Sequence, residues 1–199
     1  MVKASGKSPL GGTGEGPIKL PHGIDEALFA IGREALRLHE SAMYSSQAQF
    51  EQAKIWRGVN LWLGAPAAVL GAIAGSAVLG SEGRSLWGVE GSTIGGLLAL
   101  VAATLTAILT TVNASRRQAQ SQASANAFLQ LQTAVRQFAT IDISTLSYDD
   151  ARNVLQDLSN SRDELNKTAD APGMSAYRKA KRNIEVLGGQ NYAVDEGDA

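Results

Sequence analysis

From residue 24 onward the chain is patterned at the helical period. Ile24, Leu28, Ile31, Ala35 and Leu38 follow a 4-3-4-3 spacing that puts them on one face of a helix. Phe29, Leu36, Met43 and Phe50 recur every seven residues on a second line. The two lines together make a stripe wider than a coiled-coil seam, which predicts a helix packed in a bundle. No proline interrupts the segment and Gly32 is its one glycine before Gly58, so one long helix is expected over Ile24–Arg57. Then the pattern changes in kind. From Gly58 to Ser81, and again from Gly91 to Ser115, there is no Asp, Glu, Lys or Arg. Each run exceeds the roughly 20 residues needed to cross a bilayer core.

Beyond Asn113 the chain turns polar and Gln-rich but keeps a helical period, with Phe128, Leu131, Val135 and Phe138 on a narrow apolar face. Ser147 with Asp150 three residues on resembles a capping box with Asp in place of Glu, and predicts the start of another helix. Its core face is expected at Ala151, Val154, Leu155, Leu158, the Arg162 stem and Leu165. Pro172 and Gly173 punctuate, a last helix carries Tyr177, Ala180, Ile184 and Leu187 on one side, and Gly188 and Gly189 end it.

The two uncharged runs could form a buried hairpin in a soluble bundle or a pair of membrane spans. Residues facing every direction in the second run, Leu97 through Ala103, are apolar or small, and the flanking stripes are too narrow to cover such a hairpin on all sides. Trp56 and Trp62 stand at the start of the first run, where indoles favour a membrane–water interface. Lys54 and Arg57 precede that run, Arg116 and Arg117 follow the second, and the link between them carries only Arg84 as a cation, beside Trp87. This asymmetry predicts a multi-pass inner-membrane protein with both termini cytoplasmic. The expected fold is therefore an all-α membrane protein. It comprises a two-transmembrane helical hairpin, a long N-terminal cytosolic helix, and C-terminal cytosolic helices packed as a bundle.

Composition narrows the chemistry. The chain has no cysteine and only two histidines, His22 and His39, which removes thiolate chemistry and leaves little for a metal site or triad. No catalytic residue, metal site or cofactor is expected, and the chain does not read as an enzyme. His39, between Arg37 and Glu40, reads as a surface residue. A formal net charge of −1 gives no support to nucleic-acid binding. Gly11, Gly12, Gly14 and Gly16 suggest a phosphate loop, but no Lys-Ser/Thr follows them and no strand precedes. Residues 1–20 read instead as a disordered tail without the apolar core of a secretory signal.

The remaining candidates lie in and around the spans. Gly64, Ala68, Gly71 and Gly75 form a small-residue stripe suited to close helix packing, within one chain or between copies. Pro66 should weaken or bend its helix. Thr93, Leu97, Leu100, Thr104, Ala107 and Thr111 form one line on the second span. That line could face a pore with Leu97 and Leu100 as an apolar constriction, or its threonines could bond their own backbone. No ionisable residue lies within either span, which argues against a proton-coupled transporter. Arg178, Lys179, Lys181 and Arg182 are a candidate contact for an anion or for lipid headgroups, against the alternative of a solvated helix face.

The order of these features carries a resemblance. A long helix ends in Lys54-Ile55-Trp56-Arg57 and a span opens with Leu63-Gly64-Ala65-Pro66-Ala67. A second span ends in Leu105-Thr106-Ala107-Ile108-Leu109, and a polar helical segment with Leu158 and Leu165 leads to Pro172, Tyr177 and Ala180. Over about residues 24–187 this resembles the bacterial SLATT family of two-transmembrane effectors, associated with nucleotide-signalling conflict systems. The resemblance implies an oligomeric pore-forming effector that permeabilises the inner membrane on an upstream, nucleotide-linked defence or stress signal. Its implied partners are membrane lipids and further copies of itself, with the signal sensed either by a separate nucleotide-sensing or signalling protein or by the cytosolic bundle itself. The rival expectation is a membrane-anchored helical scaffold that docks a cytosolic partner. The expected organisation is a tail (1–20), a long cytosolic helix (21–57), a first span (58–81), an exterior turn (82–90), a second span (91–115), a cytosolic bundle (116–190) and an acidic tail (191–199).

Overall fold

The computed structural model describes residues 18–79, 85–86 and 89–189. The glycine-rich stretch, Arg84, Trp87 and the acidic tail lie outside the described residues. Within them the chain is helical, apart from strands β1 (Ser85–Leu86) and β2 (Val89–Glu90). These pair antiparallel, with Ser85 opposite Glu90 and Leu86 opposite Val89. The helices are α1 (Glu26–Leu79), α2 (Gly91–Val112), α3 (Ala114–Thr140), α4 (Tyr148–Thr168) and α5 (Met174–Glu185), with a 3-10 turn at Asp142–Ser144.

Helix α1 does not stop at Arg57. It runs for 54 residues, through Pro66, or roughly 80 Å at helical rise. Gly58, Val59 and Asn60 are weak helix formers, but the run is short and flanked by Arg57 and Leu61, and nothing at that point caps an end. The return path differs. α2 closes at Val112, Asn113 adopts a left-handed conformation with φ 52°, and α3 begins at once. The Asn113 N–H donates to the Leu109 carbonyl at 3.0 Å, and its own carbonyl accepts the Arg117 N–H at 3.1 Å. The sequence pattern reads straight through this point, whereas the structure breaks there. Asparagine is among the few residues other than glycine that enter the left-handed region readily.

The chain divides into two compact units, one comprising 1–51 and 123–199, the other 52–122. In the first, α1 and α3 contribute buried positions at matching spacings. Ala35, His39, Ala42, Ser46 and Gln49 are buried on α1, and Ala125, Phe128, Gln132, Val135 and Ala139 on α3. The α1 set steps 4-3-4-3 and the α3 set 3-4-3-4, both the alternation of a coiled-coil seam. The α1 seam is built of small and polar side chains, so the two backbones approach closely: Ser46 Oγ donates to the Ala125 carbonyl at 3.1 Å. Beside this seam Ile31, Leu38, Leu131 and Phe138 fill the apolar cluster, closed by Ile143 from the 3-10 turn and Ala151 from α4.

Helix α4 starts where its cap dictates. Ser147 is extended at φ −66°, ψ 161°, and its hydroxyl accepts the Asp150 N–H while donating to the Asp150 carboxylate at 2.6 Å. Val154, Leu155, Leu158 and Leu165 then pack against the cluster, as the spacing predicts. Ala176, Ala180 and Ile184 seat α5.

Four expectations are corrected in this unit. His39 is 5% exposed, because it sits on the Ala35–Ala42–Ser46 line and not among the surface charges beside it in sequence. Phe29 is 46% exposed, although Met43 on the same seven-residue line is buried; such a line drifts by about 20° per heptad on a straight helix. Tyr177 and Leu187 are exposed, because α5 docks through its alanines and Leu187 lies beyond the helix end. Leu20, placed in the tail by its glycine-rich surroundings, packs against the cluster. It covers Gly32, where an added Cβ would meet the Leu20 side chain at 2.8 Å.

Candidate functional site

The second unit holds the two uncharged runs. Small residues govern their packing: Ala67 and Ala74 of α1 and Ala102 of α2 are buried. At Gly64 an added Cβ would sit 3.4 Å from Leu109 Cδ2, so this glycine lies against α2. The rest of its predicted stripe does not. Ala68 is exposed, and nothing lies within 4 Å of a Cβ placed on Gly71 or Gly75. The helix face used within the chain is thus the one bearing Gly64, Ala67 and Ala74, while Ala68, Gly71 and Gly75 are turned outward.

On α2 the predicted line comes out as one continuous exposed face. Thr93, Leu97, Leu100, Thr104, Ala107 and Thr111 are all exposed, with Leu97 at 62% and Leu100 at 65%. Val101 and Ile108 widen it, and α1 adds exposed Leu61, Trp62, Val69 and Ile73. Only 11% of the most apolar 18-residue stretch of each candidate span is buried. The core helix of a water-soluble protein would be covered instead.

The threonine hydroxyls are engaged locally. Thr104 donates to the Leu100 carbonyl, Thr106 to Ala102, Thr110 to Thr106 and Thr111 to Ala107, at 2.8–2.9 Å. These four hydroxyls spend their proton on their own helix and keep their lone pairs.

At the charged border the hairpin is tied by one side chain. The Arg117 guanidinium lies 5.3 Å from the Trp56 ring centroid, and its Nε donates to the Val112 carbonyl at 3.2 Å. One cation therefore closes the C-terminus of α2 and pins it to α1 across the left-handed break. Ala53, Ala114 and Ser121 are buried in the same unit, and Lys54, Arg57 and Arg116 are exposed.

The basic cluster lies in the first unit. Arg178, Lys179, Lys181 and Arg182 are all exposed on α5, and Lys181 lies 3.8 Å from Glu185. Side-chain bonds orient this helix on α1: Tyr44 donates to Glu185 at 3.0 Å, and Asn183 to Gln47 at 3.3 Å. Burial and the neighbouring Glu185 carboxylate push the Tyr44 phenol up to about 12, so it stays a donor. Gln49 Nε2 donates to the Asp170 carbonyl at 2.6 Å, fixing the α4–α5 link, beside a cavity of about 260 Å3 lined also by Ser45, Phe128 and Asn166. Sequence reading missed these clamps. Only Gln49 stands at seam spacing on α1, and Tyr44 and Gln47 lie off it, so spacing gave no sign of their partners.

The chain matches no protein-family profile, no curated protein and no solved structure.

Proposed function

We propose that the chain is an oligomeric pore-forming membrane effector whose helices α1 and α2 cross the inner membrane, with both termini cytoplasmic. The supporting observation is the apolar outer surface of the hairpin unit, where Leu97 and Leu100 are more than half exposed and little of either candidate span is covered. Leaving a leucine-sized side chain in water forfeits about 2 kcal/mol. Lipid or further copies of the chain therefore cover these residues. The cationic borders Lys54, Arg57, Arg116 and Arg117 set the orientation. Two helices cannot enclose a channel, so a conduit requires several copies, with the Leu97–Leu100 face as its constriction and lipid outside. The resemblance to SLATT effectors supplies the trigger: an upstream nucleotide-linked signal, delivered by a separate protein, that favours the open arrangement.

Engagement of the threonine hydroxyls by their own backbone favours a second reading. In it the hairpin only anchors a helical scaffold to which a cytosolic partner docks. The test is dye release from liposomes carrying the reconstituted chain, compared with the Leu100→Glu variant. An effector leaks, and a carboxylate in the apolar constriction changes the release rate by about tenfold, the equivalent of about 1.4 kcal/mol. A scaffold leaks in neither form. A variant that inserts and assembles but leaks like the parent overturns the lining assignment.

A further inference from the structure

Helix α5 uses one face to dock and leaves the other with an unusual composition. Ala176, Ala180 and Ile184 are buried, and Tyr44 and Gln47 of α1 hold its C-terminal half. The opposite face presents Arg178 and Arg182 four residues apart, flanked by Lys179 and Lys181. Like charges at three- and four-residue spacings repel along a helix. Among the described residues the carboxylate within ion-pair distance of this cluster is Glu185, beside Lys181, and it also accepts the Tyr44 hydroxyl. The charge is local, since the whole chain carries a formal −1. Exposed apolar side chains share this surface: Met174 at 65% at its start and Val186 at 70% at its end.

We infer that the outward face of α5 is a docking surface for an anionic lipid bilayer. The inference rests on the membrane reading above. Arg178 and Arg182 lie on one line of the helix with Lys179 and Lys181 to either side, so the four cations are spread over a convex surface and not gathered in a concave pocket. A flat anionic surface takes the Arg178–Arg182 line directly and the flanking lysines through their flexible stems, and Met174 and Val186 enter the interface beside them. The docking residues Ala176, Ala180 and Ile184 stay on the protein side.

The absence of cysteine makes the test direct. Ser175, exposed on the same face, is replaced as Ser175→Cys in the full chain and carries an environment-sensitive fluorophore. The labelled chain is reconstituted into phosphatidylglycerol-containing or pure phosphatidylcholine vesicles. The expected result is shielding of the label from a water-soluble quencher in the anionic vesicles only. Removing each cation in Arg178→Gln/Arg182→Gln lowers the docking equilibrium about fivefold, while Arg152→Gln/Lys167→Gln, which removes equal charge on α4, leaves it unchanged. Equal accessibility in both vesicles, with the chain still floating with them, overturns this inference and spares the membrane reading. Shielding by added pyrophosphate in phosphatidylcholine vesicles also overturns it, in favour of a soluble phosphate. A chain that floats with neither vesicle overturns both.

Discussion

His39 is the one imidazole on the α1 seam, buried between alanines and facing Arg136. Burial, reinforced by the Arg136 charge, lowers its pKa from 6.5 to about 4, so the folded chain holds it neutral. The unfolded chain takes up a proton near 6.5 and the folded chain not until about 4. Stability is therefore full above the upper value, falls as pH drops between the two, and levels below the lower one. The loss is about 3 kcal/mol. Denaturant unfolding of the detergent-solubilised chain over a pH series should show this decline, and His39→Gln should flatten it. Ser46 and Gln49 on the same seam carry no such titration. Their amide and hydroxyl bonds tie α1 to α3 and to the α4–α5 link at every pH.

At the scale of elements, the strongest local device is the break at Asn113. It separates α2 from α3 in a single residue, and Arg117 braces it from both sides. Asn113→Gly should keep or raise thermal stability, because glycine enters the left-handed region without a Cβ clash. Asn113→Val should lower it by about 1–2 kcal/mol. Thermal unfolding of the pair reads the difference. The elements themselves were largely legible. The Ser147 cap, the α4 face and the Phe128–Phe138 stripe follow from residue type and spacing, because large apolar side chains announce the face they bury. Three things were not. Ala35 stood on the predicted face, but the rest of the α1 seam, His39, Ala42, Ser46 and Gln49, has the right period with small and polar content, so hydropathy does not mark it as buried. The Asn113 break leaves no gap in the apolar pattern. Seating of Leu20 over Gly32 depends on tertiary contact across a segment with no period at all. In the hairpin, spacing placed the α2 residues on one line, but which glycines face the neighbouring helix depended on how the helices are rotated, which spacing leaves open.

At the scale of the whole molecule, the two units are made of different material. One closes its apolar residues around Val135, Phe138 and Ile143, and the other wears them outside. The unit that closes its core is assembled from both ends of the chain, with the hairpin unit inserted between Glu51 and Ala123. Where α1 and α3 leave it they are close neighbours, as the Ser46–Ala125 hydrogen bond attests. The intervening stretch is thus inserted into a unit that carries its own buried core. Excising residues 52–122 and joining the cut ends by an αα-hairpin loop of about 2–5 residues should yield a protein that sediments as a single species in plain buffer, free of detergent, with the His39 titration intact. Evolution could exchange the lipid-seeking insert without redesigning what surrounds it.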